Sequence, residues 1–160
     1  MSLRTIRLEG DEILRKKSKE VTAMTPRLRQ LVEDMLDTMY ESAGVGLAAP
    51  QVGILKRIVV IDVGEGPCVL INPEIIDRFG SQTGMEGCLS VPGKSGQVTR
   101  PNEVTVRALD ENMKEFVYTG TELMARAICH ECDHLDGILY TDLVEGDLVD
   151  EEDEYGYEEE

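Results

Sequence analysis

The sequence contains no tryptophan, and only 4% of its residues are aromatic. Without large rings, the core must be filled by isoleucine, leucine, valine and methionine. No run of about 18 apolar residues occurs, so no stretch reads as a transmembrane helix. Residues 1–12 carry Arg4, Arg7, Glu9 and Asp11. They lack the apolar stretch of a secretory signal, and their acids argue against an organelle transit peptide. Neither the body of the chain nor its end has the basic footprint that nucleic acid requires. These absences point to a cytoplasmic protein that engages neither a membrane nor nucleic acid directly.

What is present fits one domain with a core of its own: 160 residues, 41% hydrophobic and 30% charged. The net charge of −16 is unevenly spread. Residues 142–160 hold eleven acids and no base, leaving 21 acids against 16 bases elsewhere. This divides the chain into a body over 1–144 and an acidic tail over 145–160. The tail has too little apolar surface to offset its ordering entropy and is expected to be disordered at its end. The four cysteines, Cys68, Cys88, Cys129 and Cys132, read as thiols or metal ligands in a reducing compartment.

Thr25-Pro26 is a helix start, with threonine as cap and proline at the first helical position. Leu28, Leu31, Val32, Met35, Leu36, Met39 and Tyr40 follow at helical spacing as one apolar face. Gly44 or Gly46 is the expected stop. A β-branched run over 58–63, shorter runs over 68–71 and 75–76 around Asn72-Pro73, and alternation over 103–109 and 115–118 predict strands. A second helix is expected from Thr119 or Thr121, where Thr119-x-x-Glu122 has capping-box spacing, to about Leu135. The fold class is therefore α+β. Mainly antiparallel sheets pack around a C-terminal helix, with an amphipathic helix near the N-terminus.

That second helix contains His130-Glu131-Cys132-Asp133-His134. Residues four apart share a helix face, so both imidazoles can reach one metal, with Glu131 beside them to handle a proton. These are the only two histidines, and a hydrolytic site needs a third protein ligand and one open position. Cys129 and Cys132 are badly placed on the helix, and Cys68 reads as a core thiol. Cys88 lies among glycines in 85–93, where backbone can approach a ligand closely, and is the favoured third ligand. The segment 44–51 is small and apolar, and its polar group, Gln51, could serve as a fixed donor to an oxyanion.

Taken together, GVGLAAPQ at 44–51, EGCLS at 86–90 and HECDH at 130–134 resemble the peptide deformylase family in order and spacing. The similarity runs from about Leu3 to Asp142. It implies a metal-dependent hydrolase that removes the formyl group from N-formylmethionyl nascent peptides. It also implies one divalent ion on Cys88, His130 and His134, with Fe(II) expected and Zn(II) or Ni(II) able to substitute. By the same resemblance, Glu131 is the general base and then acid, while Gln51 and the Leu89 N–H hold the oxyanion. Val45, Gly46 and Gly87 line an extended peptide, and Val45, Glu86, Leu123, Arg126 and Ala127 line the methionine pocket. Some members dock on the ribosome through a basic C-terminal helix. An acidic tail implies transient ribosome proximity without that anchor. A zinc endopeptidase built on the same HExxH pattern, or an inactive metal-binding homologue, are the alternatives.

Overall fold

The computed structural model describes residues 2–150. Its elements are helix α1 (Pro26–Glu41), strands β1 (Gly46–Ala48), β2 (Ile58–Ile61), β3 (Cys68–Phe79), β4 (Gln82–Cys88), β5 (Val91–Arg100), β6 (Glu103–Leu109) and β7 (Glu115–Thr121), helix α2 (Leu123–Leu135), and strand β8 (Val149–Asp150). Three short 3-10 turns occur at Glu12–Arg15, Ala49–Val52 and Tyr140–Asp142. One sheet has the order β1-β2-β3-β6-β7 and the other β4-β5-β8. The strand pairs in both are antiparallel.

The β-branched run in β2 is buried along its whole length because it has a helix on each side. Side chains alternate across a strand. Ile58 and Val60 meet Leu31, Val32, Met35 and Met39 of α1 in one cluster. Val59 and Ile61 meet Ala125, Ile128 and Leu135 of α2 in another. The five-stranded sheet therefore has helices on both faces at its β1–β2 end, and α2 is seated on apolar residues along one side. Its opposite, polar side is left to face the smaller sheet.

The Thr25 side chain accepts from the Leu28 N–H, and Pro26 opens α1. Four details differ from expectation. Helix α1 ends at Glu41, and Ala43, not a glycine, takes the left-handed conformation (φ 56°); Gly46 belongs to β1. Tyr40 turns out of the apolar face, and its hydroxyl donates to Asp62 Oδ2 at 2.7 Å. The capping box at Thr119 does not form, because Thr119, Gly120 and Thr121 pair with β6 and spend their backbone groups in the sheet. Helix α2 instead starts at Leu123 behind Glu122. The two short runs around Asn72-Pro73 are one strand, bulged between Ile71 and Glu74.

The acidic stretch does not leave the fold at residue 145. The Glu145 N–H donates to the Gln97 carbonyl at 2.8 Å, and Val149 and Asp150 pair with Ser95 and Lys94. Gly96 supplies the room: a Cβ there would lie 2.6 Å from a Val144 methyl. The part of the tail expected to be disordered at its end, 151–160, lies outside the described residues.

Candidate active site

A helix and a strand of the smaller sheet build the site. Helix α2 presents His130, Glu131 and His134 on its polar side, all buried. Strand β4 ends at Cys88, where a register shift between Glu86 and Cys88 and a tight return to β5 turn the thiol toward the helix. One ligand atom from each of Cys88, His130 and His134 lies within 4.8 Å of the others. Cys88 Sγ is 3.3 Å from His134 Nε2. Cys129 and Cys132 are not in this group. Burial raises both of their thiol pKa values, Cys129 to about 11, which leaves them protonated and poor ligands.

The chemistry of the donors fits a divalent cation. His130 Nδ1 is engaged by Glu86 Oε1 at 2.7 Å, so Nε2 is the ring nitrogen available to a metal. Burial alone would lower the His130 pKa. The Glu131 charge and the bonds to Cys88 and Glu86 outweigh it and push it up to about 10, so the negative surroundings favour a positive charge at this ring, which a divalent ion would supply in place of the proton. Burial, and then the charge of His130, drives His134 well below the ordinary histidine value, keeping it neutral as a ligand must be. Glu131 Oε1 is buried without a hydrogen-bond partner among the described residues. Burial pushes the Glu131 pKa up to about 7, the range suited to a proton carrier at neutral pH.

Glu86 sits in the cavity wall, but its carboxylate is committed inward. It accepts from Arg100 Nε and Nη2 at 2.9 Å each, from Arg126 Nη1 at 2.7 Å, and faces His130 Nδ1. Arg100 Nη1 also donates to Asp133 at 2.7 Å. Burial alone would raise the Glu86 pKa; the bonds from Arg100 and His130 hold it well below the usual carboxylate range instead. A buried charge is tolerable only with partners of this kind. The sequence reading missed Arg100, Asp133 and Ser90 as parts of the site. A signal for the network was available: Arg126, His130 and Asp133 recur at helical spacing as a charged stripe on an otherwise apolar helix.

Gln51, in the turn after β1, has its amide orientation fixed. The Ala48 N–H donates to Oε1 at 2.9 Å, so Nε2 faces Ser90 Oγ at 3.0 Å and Cys88 Sγ at 3.6 Å. Gly46 permits the close approach of Glu131: a Cβ there would lie 2.5 Å from Oε2. A cavity of about 460 Å³ opens over these groups. Val45, Gly46, Gln51, Glu86, Gly87, Cys88, Leu89, Leu123, Arg126, Ala127, His130 and Glu131 all line it, so twelve of the thirteen expected site residues share one cavity. The thirteenth, His134, is buried, with Nε2 against Cys88 Sγ. Strands β1 and β4, each the edge of its sheet, border this cavity.

The family model described as polypeptide deformylase matches residues 3–147. A peptide deformylase of Agathobacter rectalis is 67% identical over 150 residues, which cover 94% of this chain and 95% of that protein. The crystal structure of peptide deformylase from Thermotoga maritima superposes with a TM-score of 0.89 at 39% identity, covering 91% of this chain and all of the other. A peptide deformylase structure from Legionella pneumophila gives 0.87 at 44% identity, covering 90% and 87% of the two chains.

Proposed function

The chain belongs to the polypeptide deformylase family, and from that premise we propose how its own residues carry out the reaction. The enzyme removes the N-formyl group from N-formylmethionyl nascent polypeptides and is a metal-dependent hydrolase.

In our reading, Cys88, His130 and His134 hold the metal, Fe(II) by preference with Zn(II) or Ni(II) as substitutes. When bound there, a divalent ion would supply Lewis acidity toward the formyl oxygen and toward a water. Glu131 takes the proton from the attacking water and delivers it to the departing amine, so formate and a free N-terminus result. Gln51 Nε2 and the Leu89 N–H donate to the formyl oxygen as it gains negative charge. The peptide lies extended along Val45, Gly46 and Gly87, between the free edges of β1 and β4. Val45, Glu86, Leu123, Arg126 and Ala127 surround the methionine side chain. Because Arg100 and Arg126 are matched by the carboxylates of Glu86 and Asp133, the guanidinium of Arg126 is not left as an unpaired charge beside an apolar thioether.

The observation that carries this reading is the convergence of three ligand atoms beside a buried Glu131 oxygen that has no hydrogen-bond partner among the described residues. We further place the enzyme in the cytoplasm, with all its catalytic residues within 1–144 and only transient proximity to the ribosome. The decisive experiment is anaerobic purification with Fe(II), followed by formate release from a formyl-methionyl peptide. Turnover by the parent, lost in Glu131→Ala at full metal content, assigns the base. No turnover by the fully loaded parent overturns the assignment.

A further inference from the structure

We propose that Ser90 is a positioning residue for Gln51, directing one amide N–H of that side chain into the reaction cavity. The inference rests on the role assigned to Gln51 above. A glutamine amide has two N–H donors and one carbonyl acceptor. The Gln51 carbonyl oxygen is occupied by the Ala48 N–H at 2.9 Å, which can only donate and so fixes which end of the amide is nitrogen. One of the two amide hydrogens goes to Ser90 Oγ at 3.0 Å. The other is left on the side of Cys88 Sγ, 3.6 Å away, and of the cavity that both residues line. Ser90 itself is fully buried, so no solvent competes for the contact.

The backbones that carry the pair are also tied together. Gln51 follows a strand of the five-stranded sheet, and Ser90 lies between two strands of the smaller sheet. The N-terminal segment bridges them: the Arg7 N–H donates to the Gln51 carbonyl at 2.7 Å, and the Glu9 N–H donates to the Ser90 carbonyl at 2.8 Å. The side-chain bond therefore spans two segments already held in register, and it controls direction more than distance. Without the hydroxyl, a buried amide hydrogen loses its acceptor and the amide turns to recover one. The donor then points away from the place where charge develops, and a small misdirection is costly to rate.

The test is a double-mutant cycle of Ser90→Ala and Gln51→Ala in the full-length, metal-loaded enzyme, with metal content and melting temperature measured for each variant. Ser90→Ala is expected to lower kcat about tenfold while KM changes less than about twofold and the metal stays bound. In the Gln51→Ala background the same change is expected to cost less than about twofold, because Ser90 acts through the amide that is gone. An equal penalty in both backgrounds, or no penalty in either, overturns the proposal. A merely structural serine gives the equal penalty. If Ser90→Ala loses the fold, Ser90→Cys keeps the shape, weakens the acceptor and repeats the cycle. The Gln51→Ala variant judges the underlying reading separately: an unchanged kcat there removes the oxyanion role itself. A lowered kcat with no coupling to Ser90 removes only the positioning role.

Discussion

At the scale of single residues, Gly46 and Glu131 are one contact with two consequences. The backbone of Gly46 is not left-handed, so its conformation admits alanine, but the added methyl would sit 2.5 Å from Glu131 Oε2. Gly46→Ala is therefore expected to displace the carboxylate and lower kcat by roughly 10- to 100-fold with metal content unchanged. Glu131→Gln, which keeps the shape and removes the base, is expected to cost about 100-fold or more, measured as formate release. Glu86 acts through His130. Replacing it by glutamine is expected to weaken metal affinity about 10- to 100-fold in a competition titration.

Glu86 also predicts a pH dependence. Its folded-state pKa lies below the ordinary value of 4.5. The ionised form is thus favoured by folding, and the stabilisation is complete above about 4.5 and lost as pH falls toward the folded-state value. The parent's melting temperature should drop on acidification below about pH 4.5. In Glu86→Gln that drop should be shallower, starting from a lower value at neutral pH.

At the scale of elements, α2 and the β4–β5 hairpin do the positioning, and the end of α2 is where the chain is least tolerant. Gly137 follows the helix with φ +77°, and a Cβ there would meet the Arg15 carbonyl oxygen at 2.5 Å. Arg15 in turn pairs with Asp142 and bonds the Gly137 carbonyl. Gly137→Ala combines a disfavoured backbone conformation with a clash against backbone that cannot swing aside. It is expected to cost about 1–3 kcal/mol in chemical denaturation, with kcat largely kept in the folded fraction.

At the scale of the whole molecule, the described fold runs through Asp150. A chain cut after Asp150 retains Leu148 and the β5–β8 pairing, and is expected to keep its melting temperature, its activity and its co-sedimentation with ribosomes. Losing ten residues rich in negative charge removes repulsion from ribosomal RNA, not attraction. Weaker ribosome association would contradict this. A chain cut after Asp142 removes Val144 and Leu148 from the Gly96 face and is expected to melt at a lower temperature.

By itself the sequence determined the parts whose signals are local. The Thr25-Pro26 start of α1 is a property of four consecutive residues. The i, i+4 histidines depend only on helical pitch, and the composition of β2 reflects burial on both faces. The three motifs, met in order, also determined the chemistry. Other features depended on neighbours distant in the chain. The β4–β5 hairpin was not legible, because its glycines leave no apolar alternation to read. The capping box at Thr119 failed because β6 claims the same backbone groups. The inward turn of Glu86, the Arg100–Asp133 link and the Ser90–Gln51 bond required the two sheets to be brought together. Each is a polar contact between segments far apart in sequence, formed where burial removes water as the competing partner.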